Sequence, residues 1–170
     1  MMAGGNPNGL LSMQSNRVVL NCLDEQIQRL EQEVLRQARL KPAFEKLLSV
    51  DGIGRILGMT IMYEAGPIER FARVGQFTSY ARCVSSSRMS NGKKKGEGNR
   101  KNGNKYLGWA FVEAAHHAVR RNERVRQFYQ RKKSKTKAVI AVKAVAHKLA
   151  RACYHVLRDQ VPFDATRAFA

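Results

Sequence analysis

The stretch KAVIAVKAVAHKLARACYHVLRDQ, residues 137–160, carries apolar side chains at alternating intervals of four and three residues. This spacing places them on one face of an α-helix, and such a face needs other helices to cover it. The stretch therefore predicts a long helix within a helical bundle. Its predicted buried face consists of Ala138, Val142, Val145, Leu149, Ala152 and Val156.

Three segments before it also have helical spacing, namely residues 71–81, 105–122 and 124–133. No segment shows the alternation of apolar and polar residues that is typical of a strand. We therefore predict an all-α fold in which residues 42–160 form the bundle and residues 161–170 a tail. The segment 105–122 has a face rich in small residues that permits close packing, made of Leu107, Ala110, Phe111, Ala114 and Ala118.

The N-terminal part of the chain has a different pattern. Residues 1–12 are rich in Gly, Asn and Pro and are expected to be a disordered lead-in. From residue 13 to 41 the apolar residues follow a heptad pattern, which predicts a long coiled-coil helix and a homo-oligomer. The alternative is a single amphipathic helix lying on the bundle. The heptad residues are Leu20, Leu23, Ile27, Leu30 and Val34.

Charge indicates the class of partner. The 170 residues include 31 Lys and Arg against 13 Asp and Glu, a net charge of +18 with a pI near 10.5. Such a charge favours a nucleic acid over an anionic membrane surface. No apolar run has the length of a membrane span, and three widely spaced cysteines suit a reducing compartment. We expect a soluble, intracellular protein.

Residues 47–66, LLSVDGIGRILGMTIMYEAG, interrupt an apolar stretch with two glycines that flank one isoleucine. Two short helices joined in this way match a helix-hairpin-helix, which contacts the DNA backbone through amides at the start of its second helix. Gly52, Gly54 and Arg55 are the candidate phosphate contacts. The alternative is a turn that only packs.

Residues 88–105, RMSNGKKKGEGNRKNGNK, are basic, rich in Gly and Asn, and contain Ser90. Glycines allow the backbone to approach phosphates, and lysines neutralise phosphate charge without reading sequence. Ser90 has the cations that a hydroxyl nucleophile needs in order to attack a phosphodiester. The other candidate contacts in this loop are Arg88, Gly92, Lys93, Lys94, Lys95, Arg100, Lys101, Gly103 and Lys105.

Lys143, His147 and Arg151 follow one another at intervals of four residues in the last long helix. Like charges at this spacing repel each other, and a phosphate backbone opposite them would relieve the repulsion. A solvated basic face is the alternative. No metal site is predicted, since the acidic residues are scattered, and His116 and His117 have no ligand partners at suitable spacing.

Five segments occur in a characteristic order: LLSVDGIGRILGMTIMYEAG, ERFARVGQFTSYA, SNGKKKGEGNRKNGNKYL, FVEAAHHAVRRN and FYQRKKSKTKAVIAVKAVAHKL. In order and spacing, over residues 47–157, they resemble the C-terminal domain of bacterial transposases of the insertion sequence 110/116/902 group. The resemblance implies a recombinase in which a coiled coil joins this domain to a RuvC-like nuclease domain with four acids, which binds Mg²⁺. It also implies a structured guide RNA that bridges target and donor DNA, and a location at the nucleoid in the bacterial cytoplasm.

By position, Ser90-Asn91-Gly92 matches the serine of this group, and residues 101–104 match its Lys-x-Gly-Asn motif. The resemblance thus implies that Ser90 attacks a DNA phosphate and forms a transient phosphoserine bond. Two positions depart from the pattern. The usual Gly-Leu-x-Pro reads Arg82-Cys83-Val84-Ser85, and Gly108 stands where an arginine is expected.

We therefore expect the DNA-binding, serine-bearing domain of a transposase, truncated so that it lacks the RuvC-like domain and has no cofactor of its own. Catalysis would then require a longer protein. One alternative is a non-catalytic helix-hairpin-helix module that binds DNA or RNA. Another is an assembly role carried by the heptad helix.

Overall fold

The computed structural model describes residues 7–84, 87–97 and 102–170. Contacts divide the chain into residues 1–40 and residues 41–170. The helices are α1 (Pro7–Arg39), α2 (Pro42–Leu48), α3 (Arg55–Ala65), α4 (Val74–Tyr80), α5 (Lys105–Arg121), α6 (Glu123–Lys133), α7 (Ala138–Asp159) and α8 (Ala165–Ala168). A 3-10 turn spans Ile68–Arg70, and the strands are β1 (Ser87–Ser90) and β2 (Lys93–Glu97).

The first unit consists of helix α1. It begins at Pro7, six residues before the predicted start at Met13, and ends at Arg39, before Pro42. Residues 7–12 are therefore helical, which corrects the prediction that they are disordered, and residues 1–6 lie outside the described part. The heptad residues Leu20, Leu23, Ile27 and Leu30 are each more than half exposed.

Helix α7 is the central element of the second unit, because α2, α4, α5, α6 and α8 all pack on it. Its bounds confirm the helix predicted at residues 137–160. Of the predicted face, Val142, Val145, Leu149 and Val156 are buried, whereas Ala138 is exposed and Ala152 half-buried. The buried face is wider than predicted, since packing on several sides also covers Ala141, Ala146, Ala150 and Cys153.

Helix α5 packs against both α7 and α3. Its predicted face is buried in full, because its alanines let the neighbouring helix backbones come close. Phe111 on this face meets the ring of Phe77 on α4 at 6.0 Å between centroids, in an edge-to-face arrangement. Phe77 in turn contacts Phe71 and Tyr154. These rings join α4, α5 and α7 into one core.

A polar contact holds the segment before α4 against the end of α7. Tyr154 Oη donates a hydrogen bond to the carbonyl of Phe71 at 3.0 Å. Arg158 Nη1 donates to the same carbonyl at 3.0 Å and to Tyr154 Oη at 2.6 Å. A carbonyl outside the helices is thereby satisfied, as buried backbone groups require.

The all-α class is confirmed, with one exception. Strands β1 and β2 form an antiparallel hairpin inside the basic loop, where the sequence has no strand alternation. The segment predicted as a tail, residues 161–170, has structure of its own. It contains α8, and the ring of Phe169 packs at 5.4 Å on that of Phe128 in α6.

In the part of the chain that the structure describes, no helix has both the length and the apolar character needed to cross a membrane.

Candidate functional site around Ser90

The loop that carries Ser90 is held together where it leaves and rejoins the helices. Where it leaves α4, the Cys83 amide donates to the carbonyl of Thr78 at 2.9 Å. Where it meets α5, the Asn104 amide donates to the carbonyl of Tyr80 at 2.6 Å. Gly103 has φ +88°, and a Cβ there would lie 2.4 Å from the Tyr80 carbonyl oxygen. The two ends of the loop are therefore in direct contact, and glycine is required at the crossing.

Arg82 strengthens this crossing. Its backbone φ is +55°, in the left-handed region that residues with a side chain rarely adopt. Its guanidinium donates from Nε to the carbonyls of Asn102 and Gly103, both at 3.2 Å, and from Nη2 to that of Gly103 at 3.0 Å. Arg82 thus fastens the end of the loop to its beginning.

The side chain of Arg82 lies against Gly108. A Cβ at Gly108 would lie 3.5 Å from the Cβ of Arg82, an ordinary contact distance, and 3.3 Å from the carbonyl oxygen of Ala81, which is tighter. A long side chain at residue 108 would compete with that of Arg82 for the space beside the first turn of α5. An arginine therefore does lie beside the position where the resemblance implies one, but it comes from residue 82.

Asn104 connects the loop to two helices. Its Oδ1 accepts hydrogen bonds from the amides of Tyr106 and Leu107 at 2.8 and 3.0 Å, which caps α5. Its Nδ2 donates to Glu64 Oε2 on α3 at 2.6 Å. Asn104 and Arg70 also donate hydrogen bonds to the Tyr80 phenol and thereby lower its pKa. The base of the loop is a hydrogen-bonded network with α3, α4 and α5 as its supports.

Ser90 is the last residue of β1, directly before the two-residue turn Asn91-Gly92. Both turn residues have positive φ, 49° and 71°, which is the signature of a type I′ hairpin turn. Ser90 pairs with Lys93 across the hairpin, and directly paired residues have Cβ atoms about 5 Å apart on the same face. The hairpin therefore sets a cation beside the half-buried serine.

The other predicted cations of the loop are described to different extents. The register shifts between Arg88 and Met89, which leaves Lys95 unpaired in a β-bulge, a feature that often redirects a side chain. Lys95, Gly92 and Lys105 are exposed. For Arg88 and Lys94 the backbone is described and the side chain is not, and Arg100 and Lys101 lie outside the described residues.

The glycine turn between α2 and α3 lies against α5. Gly52 has φ +85°, and a Cβ there would come within 2.2 Å of the carbonyl oxygen of Ala114. This close approach gives Gly52 a packing role that needs no ligand. Gly54, the N-cap of α3, has nothing near the position of a Cβ, and it is exposed together with Arg55. Of these three residues, Gly54 and Arg55 are the ones with open space around them.

The basic stripe on α7 lies on its outer side. Lys143 and Arg151 are exposed and His147 between them is half-buried. Burial lowers the pKa of His147, and the charges of Arg151 and Lys148 lower it further. His147 is therefore mainly neutral at pH 7 in the absence of an anion.

The described residues contain no group of three or more His, Cys, Asp or Glu that could hold a metal ion. His116 and His117 are both exposed on α5.

The joint support of the loop by Arg82, Asn104 and Glu64 was not predicted from the sequence. Asn104 had a recognisable signal, since Asn directly before an apolar helical pattern is a frequent N-cap. Glu64 had none, because its partner lies 40 residues further along the chain. The turn Asn91-Gly92 is itself a strong hairpin signal, but the flanking lysines and glycines lack the apolar alternation of a strand.

Comparison with known protein families gives a match that covers the Ser90 loop. The sequence profile of the Transposase IS116/IS110/IS902 family matches residues 44–130, just over half of the chain. The match includes α3, α4, the Ser90 hairpin, α5 and most of α6. A search of curated proteins finds none that matches.

Proposed function

Because this chain belongs to the Transposase IS116/IS110/IS902 family, we propose that it is the DNA-binding, serine-bearing part of a transposase, with Ser90 as the nucleophile. The observation that carries this proposal is the position of Ser90. It stands directly before a tight turn, opposite Lys93, on a loop whose base is fastened by Arg82 and Asn104. A fixed hydroxyl with a cation beside it is the arrangement that nucleophilic attack on a phosphodiester requires.

The proposed chemistry is a transesterification. Ser90 Oγ attacks the phosphorus of a DNA strand and loses its proton, a phosphoserine bond forms, and the bond from phosphorus to one sugar oxygen breaks. The released sugar hydroxyl takes up a proton. A hydroxyl of another strand then attacks the phosphoserine and restores the serine, so that each step conserves the number of phosphodiester bonds. Lys93 would stabilise the charge on the phosphate during both steps.

The metal-dependent chemistry of the transposase is proposed to belong to another domain. The described residues do not fit a Mg²⁺ site, and the resemblance implies that the four acids belong to a RuvC-like domain. We expect this chain by itself to bind nucleic acid without completing strand exchange. Recombinant products from the chain alone, supplied with a guide RNA and Mg²⁺, would contradict that expectation.

The basic residues of the loop and of the α7 stripe are proposed to hold phosphates of DNA or of a structured guide RNA at the nucleoid. The contacts proposed outside the loop are Gly54, Arg55, Lys143, His147 and Arg151. The loop contacts are Arg88, Gly92, Lys93, Lys94, Lys95, Arg100, Lys101, Gly103 and Lys105. Helix α1 is proposed to pair with a second copy through its exposed heptad residues.

A direct test uses oligonucleotides with a bridging phosphorothiolate, whose thiol leaves easily and does not re-attack. Because a thiol leaves without help from a metal ion or a general acid, we expect the full chain to form a covalent DNA adduct on a denaturing gel even without a RuvC-like domain, and mass spectrometry to place the adduct on Ser90. Ser90→Ala should abolish the adduct and leave affinity nearly unchanged. Ser87→Ala, in the same strand, is the control and should still form it. An adduct that persists in Ser90→Ala would refute the role of Ser90.

The second candidate function is a non-catalytic helix-hairpin-helix module. The open surroundings of Gly54 and Arg55 at the start of α3 favour it. In that case nucleic acid would bind with the same affinity to the parent chain and to Ser90→Ala, and neither would form an adduct. Arg55→Ala would then weaken binding more than any substitution in the hairpin.

A further inference from the structure

Helix α5 presents two large aromatic side chains to solvent. Tyr106 is 51% exposed and Trp109 is 49% exposed, although Leu107, Ala110 and Phe111 between and beside them are fully buried. Residues three apart on a helix are neighbours on its surface. The two rings therefore form one aromatic surface, which we call the α5 aromatic pair.

The core of the protein does not account for this exposure. Six of the seven phenylalanines are buried, and α5 already packs on α3 and α7 with its opposite face. Trp109, the one tryptophan of the chain, lies on the outer face instead. Large exposed aromatic rings on an otherwise polar face are typical of binding surfaces.

The charges around the pair favour an anionic ligand. The Lys105 ammonium lies 4.8 Å from the centroid of the Tyr106 ring. Further along the same helical face His116 and Arg120 are exposed, and the one acid of α5, Glu113, is half-buried. The helix also begins directly after the basic loop, with Gly108 beside Arg82. An occupant must therefore combine negative charge with flat apolar surfaces.

We infer that Tyr106 and Trp109 are a stacking platform for the bases of an unpaired nucleic-acid strand. Nucleobases have flat apolar faces and are linked by phosphates, and proteins that hold single strands combine aromatic side chains with a positively charged groove. In a duplex those faces are covered by neighbouring base pairs, so the platform selects unpaired nucleotides. Stacking also tolerates any base, because every base has a π-face.

The inference rests on the proposed nucleic-acid function, and it specifies that the nucleotides bound at α5 are unpaired. The platform belongs to the helix that Asn104 caps, and Asn104 also closes the base of the Ser90 loop. Bases next to a phosphate held by the loop would therefore reach α5 if they are unpaired. The platform is thus suited to hold strands opened during exchange, or an unpaired segment of a guide RNA.

Trp109 itself is the reporter for the test, because the fluorescence of a single tryptophan describes that residue alone. The full chain is titrated with four ligands of equal length: dT12, rU12, a 12-mer of abasic sites with the same phosphates, and a 12-base-pair duplex. We expect dT12, rU12 or both to quench the fluorescence, and the abasic strand and the duplex to bind without quenching it. The ratio of the dT12 and rU12 affinities shows whether DNA or RNA is the preferred strand.

Tyr106→Ala should weaken binding of the quenching strand about ten-fold, in the range for loss of one base stack, and leave duplex binding unchanged. Tyr63→Ala is the matched control. Tyr63 is 44% exposed on α3, and Lys41 Nζ lies 4.7 Å from its ring centroid, so it has the same ring and cation without α5. Trp109→Phe keeps an aromatic face and should retain most of the affinity.

Three results would overturn the inference. If the abasic strand quenches Trp109 as strongly as dT12 and rU12, phosphate binding alone moves the tryptophan. If the chain binds duplex and single strands without any quenching, the platform is absent although the nucleic-acid function stands. If the fluorescence changes with protein concentration and no oligonucleotide, a second copy covers the face. Failure to bind any of the four ligands would instead refute the proposed function.

Discussion

At the scale of single residues, Gly52 was predicted from the sequence to contact phosphate, but the structure shows that packing against α5 requires a glycine at this position. Two glycines in a turn predict exposed amides for a phosphate, yet at Gly52 the space is filled by the backbone of α5, since a Cβ would lie 2.2 Å from Ala114 O and 2.7 Å from Ala118 N. At Gly54 that space is open. The two glycines of this turn therefore differ in what a side chain would meet: at Gly52 it would clash with α5, and at Gly54 it would meet open space.

Gly52→Ala should destabilise the protein by about 3 kcal/mol, because it combines a disfavoured positive φ with a backbone clash. For a chain of this size the melting temperature should fall by roughly 10 °C. Gly54→Ala is the control and should cost less than about 1 kcal/mol. If Gly54 contacts phosphate, its added methyl group should weaken DNA binding in the folded protein. Equal melting temperatures for the two variants would contradict the packing role.

His147 should make both the stability of the protein and its DNA affinity depend on pH. Its pKa is lowered in the folded protein by burial and by Arg151 and Lys148, so the unfolded chain binds the proton more readily and stability falls as the pH decreases through about 6.5. A phosphate at the stripe would favour the charged imidazole. We therefore expect DNA affinity to rise as the pH falls from 8 to 6.

His147→Gln should reduce this pH dependence of binding, measured by fluorescence anisotropy at constant ionic strength. His155→Gln is the control, since His155 is exposed on α7 and bonded to Asp159 at 3.2 Å. An identical pH profile for His147→Gln and the parent chain would show that no phosphate lies at His147.

At the scale of elements, two helix caps perform the same task at the two ends of α5. Asn104 caps α5 and donates to Glu64 at 2.6 Å, and Asn122 caps α6 and donates to Asp51 at 2.7 Å. Each cap therefore joins a helix start to the α2–α3 region. Only the Asn104 cap also closes the Ser90 loop.

Asn104→Ala and Asn122→Ala should each lower stability by about 1–2 kcal/mol, because each removes a cap and leaves a carboxylate without its donor. The two variants should differ in how well the hairpin is protected from hydrogen exchange. We expect faster amide hydrogen exchange at residues 87–97 in Asn104→Ala and unchanged exchange there in Asn122→Ala. Equal exchange in the two variants would mean that the Asn104 network does not restrain the hairpin.

The sequence of the hairpin indicates its turn but not its strands. Asn91-Gly92 has the local geometry of a type I′ turn, and that signal is present in the sequence. Its strands, SRMS and KKKGE, contain one apolar residue, Met89, and so have no alternation of apolar and polar residues in the sequence. Periodicity therefore could not reveal them, and the pairing of Ser90 with Lys93 became visible only in the folded chain.

At the scale of the whole molecule, α1 carries a long run of exposed apolar residues. Leu23 and Leu30 are 52% and 67% exposed, and the helix of 33 residues is long enough for several heptads. A second copy of α1 would bury this seam by knobs-into-holes packing.

Replacing Leu23 and Leu30 by Glu should convert an oligomer into a monomer in sedimentation equilibrium, since charges at heptad core positions cannot be desolvated cheaply. Gln28→Glu and Arg29→Glu, at the outward-facing b and c positions of the same heptad, are the control and should leave the mass unchanged. A parent chain that is already monomeric at all concentrations would rule out this assembly.

The sequence by itself determined the helical class, the bounds of α7, the apolar face of α5 and the family, because helical periodicity and the order of motifs are properties of the chain alone. The tertiary structure decided which side chains meet. Arg82 reaching Gly103, Glu64 reaching Asn104, Gly52 lying against α5 and Phe169 covering Phe128 all join residues that are distant in sequence. No local pattern encodes such contacts, since they depend on how close two backbones come after the helices have packed.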